Sequence, residues 1–147
     1  MMQGMTERER LVAPCGIDCG NCQLHLAAGK SELIESLVAR GIPREKVPCA
    51  GCRTIDGKCP VIQGDCETYT CVTKHAVEFC YKCAEYPCGK LHPSADRATV
   101  LPHNMKVYNL GVIRRDGVGK FIAVSGEIER TYFKGKMAVG RGPQLLS

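Results

Sequence analysis

Residues 13–22 read APCGIDCGNC, residues 49–53 read CAGCR, and residues 80–88 read CYKCAEYPC. These stretches contain three cysteine pairs with two residues between the thiols: Cys19 with Cys22, Cys49 with Cys52, and Cys80 with Cys83. That spacing lets one tight turn bring two sulfurs to the same ion at about 2.3 Å. One such pair is a weak signal. Three between residues 19 and 83 are a strong one, because small buried thiols account for single positions but not for a repeated spacing. Cys15, Cys59, Cys66, Cys71 and Cys88 bring the total to 11.

The rest of the composition explains why metal is needed. At 147 residues the chain has the length of one domain, yet it has no Trp and only 3 Phe. Much of the aromatic area that usually stabilises a core is therefore missing. No run of 18 apolar residues exists, so no membrane helix is expected. The first 15 residues have charges but no apolar stretch, so no signal peptide is expected either. A cytoplasmic location follows. In that compartment clustered thiols point to metal before disulfides.

Two four-thiolate sites use eight of the cysteines and leave three. A third site would have to recruit His25, His75, His92 or His103. The simplest pairing joins Cys49/Cys52 to Cys66/Cys71 and Cys19/Cys22 to Cys80/Cys83. That leaves Cys15, Cys59 and Cys88 as spares, with Cys15 able to displace a neighbour. About two zinc ions are expected, with a 4Fe–4S cluster as the alternative, since four thiolates suit both.

Three regions emerge along the chain: a polar arm over 1–12, a cysteine-rich metal-binding region over 13–92, and a helical continuation over 93–147. In the second, residues 19–28 read as a knuckle feeding a short helix. Ser31 then caps a helix whose apolar face is Leu33, Ile34, Leu37 and Val38, stopped by Gly41 and Pro43. Residues 44–71 lack periodicity and need metal to order them. Residues 72–79 suggest two helical turns, 99–116 a helix ended by Gly117, and 118–128 another weakened by Gly126. Residues 131–139 suggest a strand or short ribbon, followed by a tail. The expected fold is a small, α-rich α+β domain. In it an irregular metal-stapled region is followed by two helices and a short C-terminal strand or ribbon.

The three cysteine blocks, extended to Val77–Leu91, resemble the cysteine-rich family known as domain of unknown function 3795, over about residues 13–91. Residues 103–110, HNMKVYNL, look like the helical continuation of some members. The resemblance implies a small prokaryotic protein that binds zinc through Cys15, Cys19, Cys22, Cys49, Cys52, Cys66, Cys71, Cys80, Cys83 and Cys88. Cys59 has no firm counterpart. No reaction is implied.

A zinc-built interaction module with a protein partner is therefore the first functional expectation, and an iron–sulfur protein for electron transfer or redox sensing the second. No catalytic residue is expected. No His or carboxylate lies at a spacing that would make an open three-ligand zinc site. The Cys15, Cys19, Cys22 spacing matches that of radical S-adenosylmethionine enzymes, but the chain is too short for their barrel. The glycine pairs at 117/119 and 140/142 lack the rest of a phosphate loop. Net charge is +5, and residues 101–147 hold 8 Lys and Arg against 3 Asp and Glu. With so few aromatics beside that excess, no nucleic-acid partner is expected.

Overall fold

A computed structural model describes residues 3–146. The chain enters through a 3-10 turn, Glu9–Leu11, and Val12 then pairs with Asp18 in an isolated antiparallel bridge. Val12 is fully buried, so the end of the expected polar arm belongs to the core. After a 3-10 turn at Cys19–Asn21 comes α1 (Gln23–Leu26), a single turn, and α2 (Ser31–Ala39). Ser31 is the first helical residue, and its hydroxyl does not cap the helix; Lys30 occupies that position. Leu37 points inward with Leu24, Ala27 and Val47, forming a small core between α1, α2 and the chain that follows.

The next helix differs from expectation. It is α3 (Glu67–Lys74), beginning just after Cys66 rather than at Val72. Ala76, in the left-handed region at φ +52°, ends it before Phe79 is reached. An acidic residue in the first turn and Lys74 in the last suit the helix dipole. Phe79 then packs into the main core in extended backbone.

Helix α4 (Lys106–Asp116) also starts later than its periodicity suggested. Pro102 disfavours helical backbone at Leu101, and a 3-10 turn at His103–Met105 intervenes. Gly117, at φ +91°, makes the sharp turn into α5 (Val118–Lys134). Gly126 does not break α5, which runs through Tyr132 and Phe133. The ribbon is correspondingly shorter and later: β1 (Lys136–Ala138) pairs antiparallel with β2 (Gly142–Gln144), within the segment expected to be tail. No helix among the described residues is long and apolar enough to cross a membrane.

The main core joins both halves of the chain. Val12, Val72, Phe79 and Leu91 from the cysteine-rich part meet Leu110, Ile113 and Phe121 from the α4–α5 hairpin. Gly16 permits a close approach between the two halves, since a Cβ there would lie 2.9 Å from the Lys106 carbonyl. Its own carbonyl accepts from Asn109 Nδ2 at 3.0 Å. This contact seats the first cysteine loop on the start of α4.

Candidate metal centre

The first knuckle is fixed by a buried carboxylate. Asp18 accepts two hydrogen bonds from the Arg8 guanidinium, at 2.8 and 2.7 Å, and one from the Gly20 N–H at 2.9 Å. Ser125 of α5 donates to it at 2.7 Å. Cys19 and its turn are thereby tied to the N-terminal segment and to α5 at once.

Two further anchors distribute the second knuckle. The Cys49 N–H donates to the Leu24 carbonyl at 2.9 Å, which lays residue 49 against α1, beside Cys22. Four residues on, the Arg53 side chain donates from Nε to the Val12 carbonyl at 2.9 Å and from Nη2 to the Glu78 carbonyl at 2.8 Å. Its guanidinium lies over the Phe79 ring, 4.9 Å from the centroid. This draws Cys52 toward the Cys15 loop.

The thiols therefore gather in an arrangement that differs from the simple pairing of knuckles. Cys22 and Cys49 have Cys19 and Cys59 as near neighbours. Cys52 lies near Cys15, Cys19 and Cys66. Cys80 faces Cys15, Cys71 and Cys88. Cys66 is a neighbour of Cys52, the knuckle thiol it was expected to join. However, Cys71 turns to the third knuckle, and Cys19 meets Cys49 and Cys52 rather than that knuckle. The helix α3 separates Cys66, at its start, from Cys71, on its second turn, and so divides them between neighbourhoods. Cys59, Cys15 and Cys88, the expected spares, each lie among other thiols.

Burial sets the acid–base character of the donors. It pushes the Cys19 and Cys80 thiols up to about 12, and the neighbouring cysteines add to the effect. Cys15, Cys22, Cys52 and Cys59 are raised by the same first cause. Without a cation these sulfurs hold their protons. A metal ion would displace them and bind the thiolates.

Arg53 tests whether an anionic thiolate centre suits this environment. It is 2% exposed, and its identified hydrogen-bond acceptors are two backbone carbonyls. Its Nη1 has no hydrogen-bond partner. A buried guanidinium is costly unless an anion compensates it. Cys52 and Cys15 are the adjacent thiols whose negative charge would favour its cationic form. Metal-bound thiolates supply that charge, so the residues present fit the group.

At the surface, Cys71, Cys80, Cys83 and Cys88 line a cleft together with His75 and Glu85. Here donor atoms of His75, Cys83 and Glu85 all lie within 4.8 Å of one another. Sequence spacing concealed this set. His75 ends α3, while Cys83 closes the third knuckle and Glu85 follows it, and only the turn at Ala76 folds one back onto the other.

A small, helix-rich, cysteine-rich domain with a donor group able to hold metal defines the class of protein. Residues 11–93, more than half of the chain, match the family described as "Protein of unknown function (DUF3795)", and the chain belongs to that family. No curated protein and no solved structure matches it.

Proposed function

We propose that the cysteine-rich half is assembled around metal bound by its thiolates, and that the protein serves a protein partner as a metal-built module. The observation that carries this reading is the gathering of thiols from three separate segments, Cys15 with Cys19, Cys52, and Cys66, around a buried arginine whose identified acceptors are backbone carbonyls. The donors are the motif cysteines other than Cys83, with Cys59 added on its placement beside Cys22, Cys49 and Cys66.

Zinc and a 4Fe–4S cluster both suit all-thiolate ligation. A cluster in place of zinc would give the protein a role in electron transfer or redox sensing.

Protein purified without oxygen decides between them. Brown protein with iron and acid-labile sulfide supports the iron–sulfur reading. Colourless protein with about two zinc ions supports the zinc module. Folded protein free of both overturns the proposal.

A further inference from the structure

We propose that His75, Cys83 and Glu85 form a separate, solvent-open site for a borderline divalent cation of the zinc class, at the mouth of the cleft. It is distinct from the buried thiol groups and takes one ion per chain.

The imidazole is already oriented for this. His75 Nδ1 lies 2.8 Å from the Cys71 carbonyl, which can only accept, so Nδ1 carries the proton. The lone pair then resides on Nε2, the atom that faces Glu85 Oε2 at 3.9 Å. A ring whose second nitrogen donates to a backbone carbonyl is the usual state of a metal-ligating histidine. Cys71 Sγ also lies 3.6 Å from Nδ1, placing the ring between the inner thiols and the outer triad.

The third knuckle separates the two environments. Cys80 is buried and faces Cys15, Cys71 and Cys88, whereas Cys83 contributes to the group with His75 and Glu85. Lys82, between them in sequence, is held by Glu78 at 2.9 Å. One thiolate, one carboxylate and a neutral imidazole balance a divalent charge. Sulfur with nitrogen selects zinc-like ions over magnesium or calcium, which prefer oxygen alone. Three protein ligands leave a fourth position open to water or an incoming ligand. The His75 and Glu85 side chains are 40% and 76% exposed, so small rotations can close the set around an ion.

The test uses the full chain as purified, with its tightly held metal measured first. Equilibrium dialysis against Co2+ or Zn2+ should then show one additional exchangeable ion. His75→Ala and Glu85→Ala should each weaken its binding at least about tenfold, the lower range for loss of even an outer partner of a metal ligand. Both should retain the tightly held metal. X-ray absorption at the cobalt edge should report one sulfur among nitrogen and oxygen neighbours. Absence of an exchangeable ion, unchanged binding in both variants, or an all-sulfur cobalt environment would overturn the site. Purified protein without tightly held metal would leave this result unaffected and count against the buried centres alone.

Discussion

Between Cys15 and Cys88 the longest regular element is α2, with 9 residues, whereas α4 and α5 run for 11 and 17. The first region is mostly 3-10 turns and loops joined by scattered hydrogen bonds. Its side chains reach outward to carbonyls and carboxylates: Arg53 to Val12 and Glu78, Arg8 to Asp18. The second is a helical hairpin closed at Gly117. Regular helix satisfies its own backbone and needs only an apolar face to pack, while irregular backbone needs a partner for each group. The two regions share a core at Phe121, Leu110 and Phe79, but only one has thiols at its centre. A metal-free chain should therefore lose the two unequally.

The largest effect is expected from chelation with verified metal loss. A structural zinc-type site contributes on the order of 10 kcal/mol of apparent binding energy, comparable to the whole stability of a small domain. Amide exchange protection should vanish cooperatively across residues 13–91, while α4 and α5 keep part of their helical circular dichroism. Protection that survives metal removal would show that the cysteine-rich region folds without its thiolates.

Phe121→Ala acts on what the regions share. Phe121 is fully buried at the hairpin's contact with the cysteine-rich half. Its truncation should cost about 3–5 kcal/mol, measured by denaturant unfolding, with metal content unchanged in the folded fraction. Loss confined to α4–α5 in exchange experiments would show that the cores are separable.

Arg53→Met acts on the cysteine-rich side alone. With thiolates bound to metal, removing their buried cation should destabilise by about 3 kcal/mol and lower metal retention. Arg53→Lys should restore part of the retention by replacing the charge without the fork. Equal metal retention in Met and Lys variants would remove charge compensation as the role of Arg53.

The fold was legible where periodicity governs it. Leu33, Ile34 and Leu37 announced α2, and Phe121 and Ile122 announced α5. The end of α5 was not, because Tyr132 and Phe133 suit strands by propensity yet continue a helix already nucleated. The bounds of α3 were hidden by the left-handed turn at Ala76, a conformation no sequence pattern signals in alanine. Of the site, the cysteines were visible and their grouping was not. Grouping depends on long-range anchors such as Arg53 to Val12, separated by 41 residues. His75 was one of four histidines open to a third site, but Glu85 and its meeting with His75 were not visible, since neither sits at a motif spacing and their meeting is tertiary.

Ser125→Ala is a smaller probe of the link between regions. The hydroxyl donates to Asp18 and accepts from Asn21 Nδ2 at 3.1 Å. The buried carboxylate keeps Arg8 and the Gly20 N–H, so the cost should be about 1–3 kcal/mol. It should appear as faster exchange around Cys19 rather than within α5. Exchange that quickens only within α5 would mean that Asp18 holds the knuckle without help from the hairpin.

The smallest effect concerns the basic excess of residues 101–147, carried by Lys106, Arg114, Arg115, Lys120, Arg130, Lys134, Lys136 and Arg141. Several of these have local duties. Arg114 and Arg115 occupy the last turn of α4 and Lys134 that of α5, where cations favour the helix dipole. Arg115 also pairs with Asp116 at 2.8 Å. These three cations are accounted for by helix ends, whatever binds the surface. If four of them neutralised duplex phosphates, binding would fall with salt at a log–log slope of about −3.6. We expect no such slope, and no affinity tighter than about 10 μM at physiological salt, in line with weak non-specific binding. Titration of short duplex and single-stranded oligonucleotides at two salt concentrations checks this. Submicromolar, salt-steep binding would make the helical hairpin a nucleic-acid surface and the metal-bearing half its scaffold.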